Sequence, residues 1–174
     1  MGLSIDGCYA AADGSIEWLT SIPNESKSDY GFAEFLDSID CILMGRKTFE
    51  VVKSFDPWPY SKKVFVLSNS ISEIPTCLDD KVEIIQGCID NVIISFKEKE
   101  YKSIYVDGGQ LIKSFMAKDM IDEMILSTVP IVLGSGKKLF DEPVGFQQYR
   151  LLAHEVFPNG IIKAKYQKFP ATNL

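Results

Sequence analysis

At 174 residues the chain has the length of one domain, 1–174, because a single core serves roughly 100 to 200 residues before chains divide. A composition 46% apolar and 24% charged excludes the disordered and membrane classes, and a net charge of -6 excludes non-specific nucleic-acid binding, which draws on many Lys and Arg contacts to phosphate. Four separated cysteines, Cys8, Cys41, Cys77 and Cys88, with no C-x-x-C pair and His154 as the one histidine, leave no metal site in the pattern. Cys41 and Cys88 read as small buried or half-buried thiols of a reducing compartment. The start, MGLSIDG, has no basic segment followed by an apolar run, and no stretch approaches the roughly 18 apolar residues of a membrane span. A cytoplasmic protein is expected.

In chain order, Phe32, Phe35, Leu36 and Ile39 fall at i, i+3, i+4 and i+7, the stripe of an amphipathic helix. "CILM" (41–44) reads as a buried strand, followed by Gly45-Arg46-Lys47-Thr48 and a helix carrying Phe49, Val51 and Val52. "KVFVLS" (63–68) and "VEII" (82–85) are further strands, and "CIDNVIISFKEKE" is a helix with a charged end. "SIYV" (103–106) leads into Asp107-Gly108-Gly109-Gln110 and a helix bearing Leu111, Ile112, Phe115 and Met116. The last third changes character: "DEMILSTVPIVLG" (122–134) is a long extended run, and residues 148–169 alternate around Pro158-Asn159-Gly160, a hairpin turn signal. Strands alternating with helices predict an α/β fold with a mixed, mostly parallel sheet of about eight strands, helices on both faces and an antiparallel C-terminal hairpin.

In such sheets ligands bind beyond the carboxyl ends of the strands, which directs attention to the two glycine-bearing junctions. A helix N-terminus offers unpaired N–H groups and a positive dipole end, and glycine lets a phosphate approach the backbone. Arg46 adds a planar fork and Thr48 a hydroxyl, so the first junction reads either as a phosphate site or as an ordinary strand-to-helix turn with solvated charges. Gly108-Gly109 is not G-x-G-x-x-G and by itself equally marks a tight turn. Gly134-Ser135-Gly136-Lys137-Lys138 fails as a P-loop, since positions 131 and 138 are Ile and Lys. Asp29, three residues before Phe32, is either an acid at the rim of an apolar face, suited to proton supply, or part of a Ser26-x-x-Asp29 helix cap. His154, on a late alternating strand, reads as a surface or partner-facing residue.

"MGRKTFE", then "KKVFVLSNS" and "IYVDGGQLIKSFM", resemble the dihydrofolate reductase fold, in which a strand ending in M-G-R-x-T enters a helix and a later strand ends in a glycine turn. "LSIDGCYAAADGSIEWL" and "IDEMILSTVPIVLGSGKKLF" resemble its other branch, the reductase domain of the bifunctional riboflavin-biosynthesis deaminase/reductase and its single-domain relatives. The resemblance covers residues 3 to 169. It implies a single reductase domain with the three-layer dihydrofolate reductase-like fold, and no H-x-E…P-C-x-x-C deaminase motif occurs.

By that resemblance NADPH is the cofactor. Gly45, Arg46, Lys47 and Thr48 would meet its phosphates, with Arg46 favouring NADP over NAD. Ser68 and Asn69 would flank the adenosine end; Gly108, Gly109, Gln110, Leu111 and Ile112 would pack on the pyrophosphate and nicotinamide side; Ala10 and Ala11 would hold the carboxamide. Asp29, sixteen residues before Gly45, matches the acid that binds the pteridine ring in folate-reducing members, with Trp18, Phe32 and the Ser127 to Val129 segment lining the substrate pocket. The expected activity is hydride transfer to a pteridine or ribosylamino-pyrimidine, as in 5-amino-6-(5-phosphoribosylamino)uracil reduction. Dihydrofolate reduction and a non-catalytic NADP-binding dimeric module are the alternatives. The apolar late strands and the resemblance point to a homodimer.

Overall fold

The computed structural model describes residues 1–71, 73–141 and 145–170. In chain order the elements are β1 (Gly2–Ser4), β2 (Cys8–Ala11), α1 (Phe32–Asp37), β3 (Cys41–Gly45), α2 (Arg46–Val52), β4 (Lys63–Leu67) and β5 (Val82–Ile85). There follow α3 (Ile89–Glu98), β6 (Ile104–Asp107), α4 (Gly109–Ala117), β7 (Glu123–Val129), β8 (Gly136–Lys138), β9 (Tyr149–Val156) and β10 (Ile162–Lys168). They belong to two compact units, Ser28–Ile112 and Met1–Lys27 with the chain from Lys113 onward.

In the unit Ser28–Ile112 the strands form one parallel sheet in the order β5-β4-β3-β6. Side chains alternate across a strand, and both faces here are apolar because both carry helices. Ile42, Met44, Val64 and Val66 point to one face, where they pack with Leu36 of α1 and Phe49 and Val52 of α2. Phe65 points to the other, where its ring lies 4.8 Å from that of Phe96 on α3 and 5.6 Å from Tyr101. Each fully buried side chain of this size contributes about 1.5–3 kcal/mol, so the two apolar faces account for the continuous, non-alternating strand sequences. Asp40 anchors β6 beside β3: its carboxylate accepts the N–H groups of Lys102 and Ser103, at 2.7 and 2.8 Å.

The other unit carries a four-stranded sheet ordered β1-β7-β10-β9, in which β1 and β7 are parallel and the rest antiparallel, with β2 and β8 as a separate antiparallel pair. The hairpin of β9 and β10 closes through Phe157–Gly160, whose Gly160 has a φ of 86°. One face of β10 carries Lys163 and Lys165, paired with Glu155 and Glu123 at 2.9 Å each, and the opposite face carries Ala164, Leu126 on β7 and Leu3 on β1. The S-x-D-G start is held here. Asp6 accepts the Ser4 hydroxyl at 2.7 Å and the N–H groups of Leu133 and Gly134 at 3.1 and 3.0 Å, tying the start of the chain to the P-x-x-L-G loop. Those bonds, the Ser4 hydroxyl first, lower its pKa from the usual 3.8 to about 2. Lys113 of α4, 5% exposed, pairs with Asp141, as a buried ammonium requires.

The fold is therefore α/β, mixed and mostly parallel, with an antiparallel C-terminal hairpin. The strands expected in one sheet are ten among the described residues, in sheets of four, four and two. The additions are short. β8 has no apolar run to announce it, because a Cβ on Gly136 would lie 2.5 Å from the carbonyl oxygen of Ala10. All four thiols are free; Cys41 and Cys8 are buried, while Cys88, expected at least half-buried, is exposed at the residue before α3.

Candidate active site

Because β3, β4, β5 and β6 run parallel, their carboxyl ends share one edge of the sheet. The chain leaves β3 through α2 to β4 and then β5 on one side, and returns through α3 to β6 on the other side of β3. The order thus reverses between β3 and β6, where open sheets leave a crevice for a ligand. Gly45 ends β3, Asp107 ends β6 in register with Met44, and Leu67, in register with Gly45, leads to Ser68 and Asn69. The sequence segments singled out for phosphate binding are brought to this one edge.

The two glycine turns touch. Gly108 has a φ of 102°, and a Cβ there would lie 2.3 Å from Thr48 Oγ1 and 3.9 Å from the backbone nitrogen of Gly45. Leu111 packs on Gly45, 3.9 Å from where a Cβ would stand. Gly108 admits no larger residue, so the starts of α2 and α4 approach each other at backbone level. Gly109 is buried, Gln110 exposed and Ile112 half-buried; the Ile112 N–H donates to Gly108 O at 2.9 Å, opening α4. Ser68, 7% exposed, accepts the N–H groups of Ser70 and Ile71 at 3.2 and 3.1 Å and so shapes the loop after β4; Asn69 is exposed.

The charges at the start of α2 break a local rule. Acids belong in a helix's first turn and cations in its last, as α3 has them with Asp90 and Lys97. In α2 the first turn carries Arg46 and Lys47 and no acid, and Gly45 supplies no side-chain cap. Arg46 pairs with Glu50 at 2.9 Å, both being over 40% exposed. A surface pair of that kind is worth about 0.3–0.5 kcal/mol, which leaves the guanidinium free to exchange Glu50 for a phosphate at little cost.

Asp29 precedes α1 rather than riding on its apolar stripe. It is exposed, and its two carboxylate oxygens accept the N–H groups of Gly31 and Ala33 at 2.9 Å each, the geometry of a helix-start cap. Phe32, the first residue of α1, stands with its ring 6.2 Å from Tyr60, and Tyr60 lies 5.2 Å from Trp58. Phe35 meets Tyr105 edge-on at 4.9 Å. This aromatic wall ends at an acid absent from the expected site: the Tyr60 hydroxyl donates to Asp107 Oδ2 at 3.1 Å. Asp107 shares a sheet face with Tyr105, two residues back. Burial first, and then the charge of Asp107, push the pKa values of Tyr60 and Tyr105 well above the ordinary phenol range, so both stay protonated. The signal for Asp107 was its place at a strand end directly before the double glycine; nothing local pointed to Tyr60, 47 residues away.

The remaining expected site residues lie in the other unit. Ala10 is buried and Ala11 half-buried on β2, in register with Lys137 and Gly136. Trp18 sits in a 3-10 turn, Glu17–Thr20, with its indole N–H buried and unpartnered among the described residues. Ser127 and Val129 face Gly2 and Ser4 across the β1–β7 pairing, with Val129 buried. Among the described residues no helix is long and apolar enough to cross a membrane, and His154 is exposed on β9.

The family model for the RibD C-terminal domain matches residues 1–163. The chain is 33% identical over 164 residues to the uncharacterized protein YwjB of Bacillus subtilis (strain 168), covering 92% of this chain and 91% of that one. It is 31% identical over 180 residues to the uncharacterized protein YyaP of the same organism, covering 95% and 91%. Among solved structures, a protein from Shewanella sp. PV-4 provisionally assigned to riboflavin biosynthesis is 37% identical with a TM-score of 0.90, over 98% of this chain and 97% of that one. The Thermotoga maritima diaminohydroxyphosphoribosylaminopyrimidine deaminase/5-amino-6-(5-phosphoribosylamino)uracil reductase is similar in fold, at 13% identity and a TM-score of 0.74, over 97% of this chain and 55% of that one.

Proposed function

The chain belongs to the RibD C-terminal domain family, and on that premise we propose that it is an NADPH-dependent reductase of a ribosylamino-pyrimidine or pteridine, acting as one reductase domain. The observation that carries the reading is the meeting of two glycine turns at the switch point between β3 and β6, with Arg46 and Lys47 in a helix turn whose own dipole disfavours them. Sequences keep such local violations where function requires them. An anion resolves this one.

The residues fit the cofactor. A Cβ at Gly108 would fill the space beside Thr48, and the N–H groups at the starts of α2 and α4 favour the two phosphates of a dinucleotide. NADPH, when bound, supplies the hydride. Gly45 to Thr48 and Gly108 to Ile112 hold the pyrophosphate, Ser68 and Asn69 flank the adenosine, and the guanidinium of Arg46 takes the additional 2′-phosphate as a bidentate ligand. The wall of Phe32, Trp58 and Tyr60 excludes water from the acceptor. Asp107 accepts N–H groups of the heterocycle and orients it, while Asp29 fixes the start of α1 and with it Phe32.

Following NADPH loss with 5-amino-6-(5-phosphoribosylamino)uracil and with dihydrofolate tests the reading. Oxidation with the pyrimidine supports it; oxidation with dihydrofolate alone makes the protein a dihydrofolate reductase. Tight NADPH binding with no oxidation makes it a binding module. The same reading takes the protein to be a cytoplasmic homodimer. β9 is the outer strand of its sheet, and Leu151, Val156 and Ile162 are 53%, 64% and 46% exposed, so a second copy has apolar surface to cover. A light-scattering mass of one chain at micromolar protein would contradict this.

A further inference from the structure

The aromatic wall and the acid of the site are joined by the Tyr60 hydroxyl, which reaches Asp107 from outside its strand. We infer that Tyr60 is a positioning residue, whose phenol holds the Asp107 carboxylate for a flat heterocycle that presents two adjacent N–H groups; this rests on the reductase reading above.

The Tyr60 ring is already fixed without its hydroxyl, between Trp58 at 5.2 Å and Phe32 at 6.2 Å and against the core of the sheet face. The O–H therefore adds no packing. What it adds is a 3.1 Å bond to Asp107 Oδ2, linking the segment before β4 to the end of β6. The broad terminal torsion of a carboxylate sets no direction of its own; Tyr105 bonds Asp107 from within β6, and Tyr60 is the donor that reaches it from a different segment. An ionised carboxylate has about four lone-pair sites. Two phenols, Tyr60 and Tyr105, occupy two of them and leave two for a pair of donors, the arrangement in which a carboxylate reads two parallel N–H groups. The Tyr60 phenol retains its proton because of burial and the neighbouring charge of Asp107, so Tyr60 remains a donor and the carboxylate's free side remains an acceptor.

A ring edge with two adjacent donors is the complement. 6-Aminouracil has one, in its ring N1–H and its 6-amino group; 1-methyl-6-aminouracil has lost one of the two donors and is otherwise equally flat. The wall of Phe32, Trp58 and Tyr60 suits both rings, so it does not discriminate between them. Discrimination belongs to Asp107 as Tyr60 holds it.

The test is a titration of the full chain, saturated with NADPH, with each compound, followed by tryptophan fluorescence, which Trp58 beside Tyr60 reports. The wild-type protein is expected to bind 6-aminouracil about tenfold more tightly than its 1-methyl derivative, the worth of one good hydrogen bond to a charged group. Tyr60→Phe should lose most of that preference, with a smaller loss of affinity for the 1-methyl compound, which keeps the 6-amino donor, unchanged affinity for NADPH and a melting temperature lowered by no more than one hydrogen bond is worth. Asp107→Asn should abolish the preference, and adding Tyr60→Phe to it should change nothing further, since residues acting through one another are not additive. Equal weakening of both compounds by Tyr60→Phe, an intact preference in that variant, full additivity with Asp107→Asn, or a wild-type protein that binds neither compound would each overturn the inference. Failure of the reductase reading looks different: the binding pattern would hold while no acceptor is reduced.

Discussion

A Cβ on Gly108 would lie 2.3 Å from Oγ1 of Thr48, so the turn after β6 rests on the first turn of α2 with no side chain between them. Two consequences follow for Gly108→Ala. A non-glycine residue at a φ of 102° costs about 1–3 kcal/mol, and the added methyl group displaces Thr48 from the crevice. The variant should melt several degrees lower and bind NADPH at least about tenfold more weakly. Adding Thr48→Ala should relieve the clash but not the backbone strain, so stability should recover only in part. Thermal melts and an NADPH titration of both variants check this.

Arg46→Ala should weaken NADPH much more than NADH, because only NADPH has the additional phosphate for the guanidinium to grip. Its effect on stability should stay within about 0.5 kcal/mol, the ordinary worth of the exposed Arg46–Glu50 pair. Paired titrations measure the ratio. Equal losses for the two nucleotides would refute the role given to Arg46.

Asp29 is assigned to capping by its two bonds to the N–H groups of Gly31 and Ala33. Asparagine caps about as well as aspartate, and alanine costs roughly 0.5–2 kcal/mol. Here asparagine offers one acceptor oxygen where Asp29 uses two, so Asp29→Asn should lose part of the stability that Asp29→Ala loses, and both should keep turnover. A tenfold or greater fall in kcat for Asp29→Asn at unchanged melting temperature would return Asp29 to the chemistry as an acid.

Asp6 predicts a dependence on pH. Its folded pKa is about 2 against an ordinary 3.8, so the folded state binds fewer protons at this group than the unfolded state does. The resulting stabilisation is complete above about pH 4 and is lost as pH falls through about 2. Asp6→Asn should be less stable than wild type at neutral pH, and the difference should shrink between about pH 4 and 2. Chemical denaturation across that range measures it; a constant difference would mean that Asp6 contributes nothing through its charge.

The periods of the sequence carried much of this architecture. β3 and β4 are apolar on both faces because helices cover both, and Pro158-Asn159-Gly160 announced the hairpin because its glycine must take a positive φ. β2 and β8 were illegible: each is short, and Gly136 faces Ala10 where no side chain fits. In the site, residues adjacent in sequence were readable and those joined through space were not. Gly45 to Thr48 and Gly108 to Ile112 stood out by composition, whereas their contact needed the strand order β4-β3-β6. The Tyr60–Asp107 bond spans 47 residues and has no period to betray it. Asp29 had two readings because a cap and a buried-rim acid share one sequence signature; the structure has a cap, but one in which Asp29 itself holds the amides of Gly31 and Ala33 ahead of the N-cap Gly31, not the Ser26-x-x-Asp29 box.

The claim that the switch point between β3 and β6 is a dinucleotide site is tested most directly by titrating the purified protein with NADPH and with NADH and following nucleotide fluorescence. Saturable binding, one nucleotide per chain and at least about tenfold tighter for NADPH, is the predicted result. No saturable change with either nucleotide, or equal affinity for both, would contradict it.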